Sequence, residues 1–148
     1  MRIAMKNSVP FPRVLVVDDQ QTRAEVLAEL LAVNGFQTMY ATSGMAGLKR
    51  VADWKPDAVL TDLSLPDISG HEICRSVRSN PDWDSVAVIL YTGSKQSPGY
   101  SEHCDAFLTY PIQTAHLTNT IKGSIMRRRQ KALKPKTRDV AQAGVPFS

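Results

Sequence analysis

The sequence predicts an α/β domain: a five-stranded, doubly wound parallel sheet with helices on both faces, three α/β/α layers in all. Three observations lead there. Short apolar runs without polar alternation recur along the chain, as for strands buried on both faces. Segments with apolar residues at helical spacing separate these runs, which calls for right-handed crossovers between parallel strands. Acidic and hydroxyl residues stand where the runs end, at the edge where such sheets place their sites.

Each element follows in order. "RVLVVDD" (13–19) is the first strand. "QQTRAEVLAELLAVNG" is the first helix, with Val26, Leu27, Leu30, Leu31 and Asn34 at helical spacing and Gly35 suited to a C-terminal cap. "FQTMYA" (36–41) is the second strand. "TSGMAGLKRVADW" is the second helix, with Thr42 or Ser43 as N-cap. "DAVLTDL" (57–63) is the third strand, and "ISGHEICRSVRSN" holds the third helix, with Ile73 and Val77 four apart. "SVAVILYTG" (85–93) and "DAFLTY" (105–110) are the fourth and fifth strands. Pro111 stops the fifth, because it has no N–H to donate to a ladder. The last helix starts near Gln113 and carries Leu117, Ile121 and Ile125 as an i, i+4 stripe. Length and element order fit the flavodoxin-like type of doubly wound sheet. The domain spans residues 12–126, after an N-terminal extension over 1–11. Residues 127–148 form a basic extension of the last helix that gives way to a flexible arm.

The bulk numbers agree with one soluble domain. At 148 residues the chain is long enough for a real core, and 43% hydrophobic with 22% charged residues is ordinary. No apolar run approaches the ~18 residues of a membrane span. The first residues lack the apolar stretch of a signal peptide. Cys74 and Cys104 are far apart, with no metal-like partner at short spacing. Free thiols in a reducing cytoplasm are the simple reading. The net charge of +4 hides an asymmetry. From residue 122 on, eight basic side chains face one acidic, a local net of +7; residues 1–121 carry ten basic and thirteen acidic, a net of −3. The basic cluster suits nucleic acid, an anionic membrane, an acidic protein surface, or simply a solvated helix end whose cations complement its C-terminus. The high isoelectric point says nothing of the body binding nucleic acid.

At the carboxyl edge, strand one delivers Asp18 and Asp19, strand three Asp62, strand four Thr92 and strand five Tyr110. Three converging carboxylates raise one another's pKa unless a cation sits among them. Hard oxygen donors suit Mg²⁺. A carboxylate beside Mg²⁺ can act as a nucleophile toward a phosphoryl group, and a hydroxyl such as Thr92 can hydrogen-bond a phosphoryl oxygen. Taken singly, Asp18 or Asp19 can be a helix N-cap, Asp62 a loop aspartate and Thr92 an ordinary strand end.

With these residues in place, the chain resembles the receiver domain of bacterial two-component response regulators, over roughly residues 12–126. "VLVVDD" is similar to the family's first strand and acid pair. "DAVLTDLSLPDISGHEICRSVR" resembles its phosphoacceptor strand, loop and third helix, with Asp62, Pro66 and Gly70 at the usual offsets. "VAVILYTGS" is similar to the fourth strand, and "AFLTYPI" to the fifth strand and its proline. The resemblance implies that Asp62 accepts a phosphoryl group from a phosphohistidine. It implies Mg²⁺ held by Asp18, Asp19 (directly), Asp62 and the Ser64 backbone carbonyl. Thr92 is then the switch hydroxyl. Phe107 occupies the family's aromatic switch position, with plain core packing as its other reading.

Two departures stand out. The family carries a lysine where this chain has Tyr110. A phenol offers one donor and no charge, so coupling between Asp62 and the rest of the domain is expected to be weakened or altered. Lys95 is a candidate substitute. The span from Thr92 to Tyr110 is also shorter than usual by about one helical turn. It contains Pro98 and Gly99, so the helix between strands four and five should be short, displaced or absent. The family's usual dimer face is thereby in doubt.

The expectation is a single-domain response regulator, phosphorylated on Asp62 in a Mg²⁺-dependent phosphorelay and signalling through protein contacts in the cytoplasm. It is a phosphoacceptor, not a turnover enzyme. Its partners would be a histidine kinase or phosphotransfer protein, with a homodimer through the last helix and arm; nucleic acid is not expected. The alternative is a phosphorylation-independent pseudo-receiver acting as an adaptor. An aspartyl-nucleophile phosphatase would place a second acid two residues after the nucleophile, where Ser64 stands.

Overall fold

A computed structural model of the chain describes residues 11–93 and 103–133. Its elements run β1 (Arg13–Val17), α1 (Gln21–Val33), β2 (Gln37–Ala41), α2 (Gly44–Trp54), β3 (Ala58–Asp62), α3 (Gly70–Arg78), a 3₁₀ turn (Pro81–Trp83), β4 (Ala87–Thr92), β5 (Ala106–Thr109) and α4 (Thr114–Leu133). All strand pairs are parallel, in the order β2-β1-β3-β4-β5. The chain steps from β1 outward to β2, then back across to β3. The carboxyl ends of β1 and β3 therefore flank the switch point.

Alternate residues of β1, β3 and β4 feed two apolar layers, as the two-residue period of a strand requires. Val14, Val16, Leu60, Ile89 and Tyr91 pack under α1 and α4. Leu15, Val17, Val59, Val88 and Leu90 pack under α2 and α3. Both faces are covered, which is why these strands read as unbroken apolar runs. The Leu117, Ile121 and Ile125 stripe is buried as expected, as are Ile73 and Val77. In α1 the buried face is Ala24, Leu27, Ala28 and Leu31, and Val26 points to solvent. The two alanines set the face that lies on the sheet. Gly35 has φ +97° after α1, where a Cβ would be strained, in keeping with its expected capping role. Ser43 caps α2, its hydroxyl accepting from the Ala46 N–H at 3.1 Å.

The free-thiol expectation is overturned. Cys74 on α3 and Cys104, just before β5, form a disulfide with Cα atoms 5.6 Å apart. They are 30 residues apart in sequence, so only the crossover from α3 through β4 brings them together. Closing a loop of that length stabilises by roughly 3–4 kcal/mol in the chain-entropy account. Reductant is therefore expected to lower the urea midpoint. Equal midpoints with and without reductant would count against the bridge.

The basic extension is tied to the body over its first turns. The last helix runs unbroken to Leu133. Arg128 Nε donates to Asp105 Oδ1 at 2.7 Å, and Arg129 Nη2 to Asp57 Oδ1 at 3.1 Å. The Arg128 side chain is only 11% exposed, so the reading of a solvated helix end fails there. Among the described residues, no helix is long and apolar enough to cross a membrane. The expectations for residues 1–10, for the shortened connection holding Lys95, Pro98 and Gly99, and for the arm beyond Leu133 lie outside the described residues.

Candidate functional site

Asp18 follows β1 directly and is fully buried. Burying a carboxylate is costly unless its oxygens are satisfied, and here both are. Oδ1 accepts from the Gln20 N–H at 2.9 Å and Arg23 Nη2 at 3.0 Å. Oδ2 accepts from Arg23 Nε at 2.5 Å and the Tyr91 hydroxyl at 2.6 Å. Those four contacts use the acceptor capacity of a carboxylate. Asp19 beside it is exposed.

Asp62 ends β3. Its Oδ1 accepts from the Ser64 N–H at 3.2 Å, and its Oδ2 from Arg23 Nη2 at 2.9 Å. Burial pushes the Asp62 carboxyl above the ordinary carboxylate range, and the charges of Asp18 and Asp19 push the same way. The Ser64 N–H and the Arg23 charge oppose them without prevailing. Carboxylate oxygens of Asp18, Asp19 and Asp62 lie within 4.8 Å of one another. This hard-oxygen donor set, carrying more negative charge than its surroundings neutralise, fits a divalent cation such as Mg²⁺.

Thr92 ends β4, one residue beyond the Asp62–Tyr91 register pair, and is buried. Its carbonyl accepts from the Tyr110 N–H at 2.8 Å. Tyr110 packs edge-on against Tyr91, ring centroids 5.3 Å apart, and its ring lies under the Arg23 guanidinium at 5.7 Å. Burial pushes the Tyr110 phenol up to about 12, with Arg23 opposing the shift. Its hydroxyl is buried and has no hydrogen-bond partner among the described residues. Phe107 sits on β5 opposite Leu90 and packs into the α2–α3 layer.

The edge thus joins Asp18, Asp19, Asp62 and Tyr110, with Ser64 and Thr92 beside them. Two residues at its centre, Arg23 and Tyr91, read in the sequence only as a helix and a strand residue. The available signal for Arg23 is its place four residues after Asp19, in the first turn of α1, from where a long side chain reaches back over the strand ends.

A family model described as the response regulator receiver domain matches residues 14–122. Response regulator MprA of Mycobacterium sp. (strain KMS) is 30% identical over 119 residues, which cover 78% of this chain and 51% of that protein. DNA-binding response regulator MtrA of Mycobacterium leprae (strain TN) is 29% identical, covering 78% and 52%. The chain spans about half the length of the curated relatives it matches. Among solved structures, a CheY-like receiver domain from Methylobacillus flagellatus is 33% identical with a TM-score of 0.70, covering 76% of this chain and 98% of that one. A receiver domain protein from Clostridium thermocellum is 26% identical with a TM-score of 0.73, covering 80% and 98%.

Proposed function

Because the chain belongs to the response regulator receiver domain family of two-component signalling, we propose that Asp62 is its phosphoacceptor, charged by a histidine kinase or phosphotransfer protein in the cytoplasm. The carrying observation is a buried carboxylate at the β3 end with two further aspartates within 4.8 Å. An Asp62 oxygen attacks the phosphorus of the donor's phosphohistidine. The O–P bond forms as the N–P bond breaks, and the electron pair returns to the imidazole, which takes up a proton. Water later attacks the phosphorus, regenerating the carboxylate and releasing phosphate.

Asp19, Asp62 and the Ser64 carbonyl would hold Mg²⁺, with Asp18 behind them, and the bound ion would neutralise charge on the transferring oxygens. The chain's own groups orient the nucleophile. The Ser64 N–H holds Asp62 Oδ1, and Arg23 Nη2 engages Asp62 Oδ2. The Thr92 hydroxyl would hydrogen-bond a phosphoryl oxygen, and Phe107 would carry the change to β5. Signalling then passes through protein contacts, and the domain's own chemistry is confined to its self-phosphorylation and dephosphorylation. Met126 and Leu133 stand exposed on α4, which suits self-association through that helix.

Incubation with Mg²⁺ and a small phosphodonor tests this. Intact mass should show one acid-stable, base-labile phosphoryl group, absent in chelator and in Asp62→Ala. If neither a small donor nor a cognate kinase gives an adduct on the wild type, the relay reading falls and the phosphorylation-independent adaptor takes its place.

A further inference from the structure

Every carboxylate-centred phosphoryl site needs a positive charge near the transferring oxygens. At the end of β5 this chain offers a phenol instead. The charge nonetheless reaches the site, from another element. Arg23, on the first turn of α1, forks across it: Nε and Nη2 engage Asp18, and Nη2 also engages Asp62 Oδ2 at 2.9 Å. Its guanidinium lies over the Tyr110 ring at 5.7 Å. The tyrosine thus occupies the place from which an ammonium would act, and it carries the replacement cation on its face.

We propose that Arg23 is the phosphoryl-binding cation of this site, acting from α1 with Tyr110 as its platform. The inference rests on the phosphoacceptor reading of Asp62 and names the residue that completes it. When the O–P bond forms, negative charge moves from the Asp62 carboxylate onto the phosphoryl oxygens. The guanidinium, already on Asp62 Oδ2, is placed to follow that charge outward. Its planar fork matches phosphoryl oxygens in pairs, and 38% exposure of the side chain leaves it room to move.

In the resting state Arg23 already engages Asp18 and Asp62, two of the three carboxylates that would hold Mg²⁺. Arginine bridge and metal therefore compete, and the bridge lowers metal affinity until Arg23 shifts outward.

The test uses the full chain as wild type, Arg23→Met, Arg23→Lys and Arg23→Met/Tyr110→Lys. Mg²⁺ affinity is measured by calorimetry without phosphodonor, and adduct formation and lifetime by intact mass. Arg23→Met should bind Mg²⁺ more tightly than wild type, yet form the Asp62 adduct more slowly by roughly tenfold or more. The double variant should regain most of that rate, since it returns a cation from β5. Arg23→Lys should fall between, keeping the charge without the fork. It also keeps the test open if Arg23→Met does not fold. A residue that merely braced α1 would not be rescued by a cation on a different strand. Adduct formation in Arg23→Met within about twofold of wild type, unchanged or weaker Mg²⁺ binding, or no rescue by Tyr110→Lys overturns the inference. No adduct in the wild type overturns the phosphoacceptor reading with it. A wild-type adduct with Arg23→Met unaffected overturns this inference alone.

Discussion

Asp62→Asn is expected to lose the phosphoryl adduct entirely while melting at a higher temperature than wild type near neutral pH. The first effect follows from chemistry: a carboxamide lacks the anionic oxygen that attacks phosphorus. The second follows from the electrostatics. Burial, with Asp18 and Asp19 nearby, raises the Asp62 carboxyl above its ordinary range in the folded chain. A group raised by folding contributes stability below its unfolded pKa and loses it as pH rises through the folded value. At neutral pH the ionised Asp62 therefore costs the fold stability, and the neutral amide removes that cost. Arg23 keeps Asp18 as partner, so its charge is not orphaned. The gain should shrink as pH falls through the raised folded value, as the wild-type carboxyl itself takes up a proton. Thermal melts of both proteins across this range decide it. An Asp62→Asn variant that melts below wild type at neutral pH would mean that the Arg23 pairing outweighs desolvation.

Gly70→Ala carries the second large effect. A Cβ on Gly70 would lie 2.7 Å from the Asp62 carbonyl oxygen, 2.8 Å from Leu90 Cδ2 and 3.1 Å from Leu63 Cα. Two of those neighbours are backbone and have no rotamer to retreat into. The Gly70 N–H also donates to the Leu63 carbonyl at 2.8 Å, closing the β3–α3 loop that carries Ser64. The added methyl must push α3 away from the strand end or displace the Asp62 backbone. Overpacking of this kind costs about 1–3 kcal/mol, and the displacement should slow adduct formation as well. Gly93 is the control: a Cβ there meets nothing within 4 Å among the described residues, so Gly93→Ala should leave the urea midpoint nearly unchanged. Equal midpoints for Gly70→Ala and wild type would show that the loop relaxes freely.

Much of this fold is legible in the chain. β1, β3 and β4 announce themselves because helices cover both faces, so no polar alternation interrupts the apolar runs. The α4 stripe is equally plain, since Leu117, Ile121 and Ile125 share one helical face. Other features are not. Val26 has the spacing of a core residue, but Ala24 and Ala28 decide which side of α1 meets the sheet. Cys74 and Cys104 carry no local sign of pairing. Arg128 and Arg129 belong by composition to a basic arm, yet they spend their charge on Asp105 and Asp57.

The candidate site divides the same way. By itself the sequence determines that Asp18, Asp19, Asp62 and Thr92 meet at one edge. Strand periodicity and parallel crossovers bring the carboxyl ends of β1, β3 and β4 together whatever the side chains then do. Only the tertiary structure decides which cation balances them. Arg23 and Asp62 are 39 residues apart and share no periodic pattern. Their contact exists because the first turn of α1 starts beside the strand ends, from where one long side chain spans both acids. Tyr110 marks the position where the expected charge is missing; the fold supplies that charge from α1.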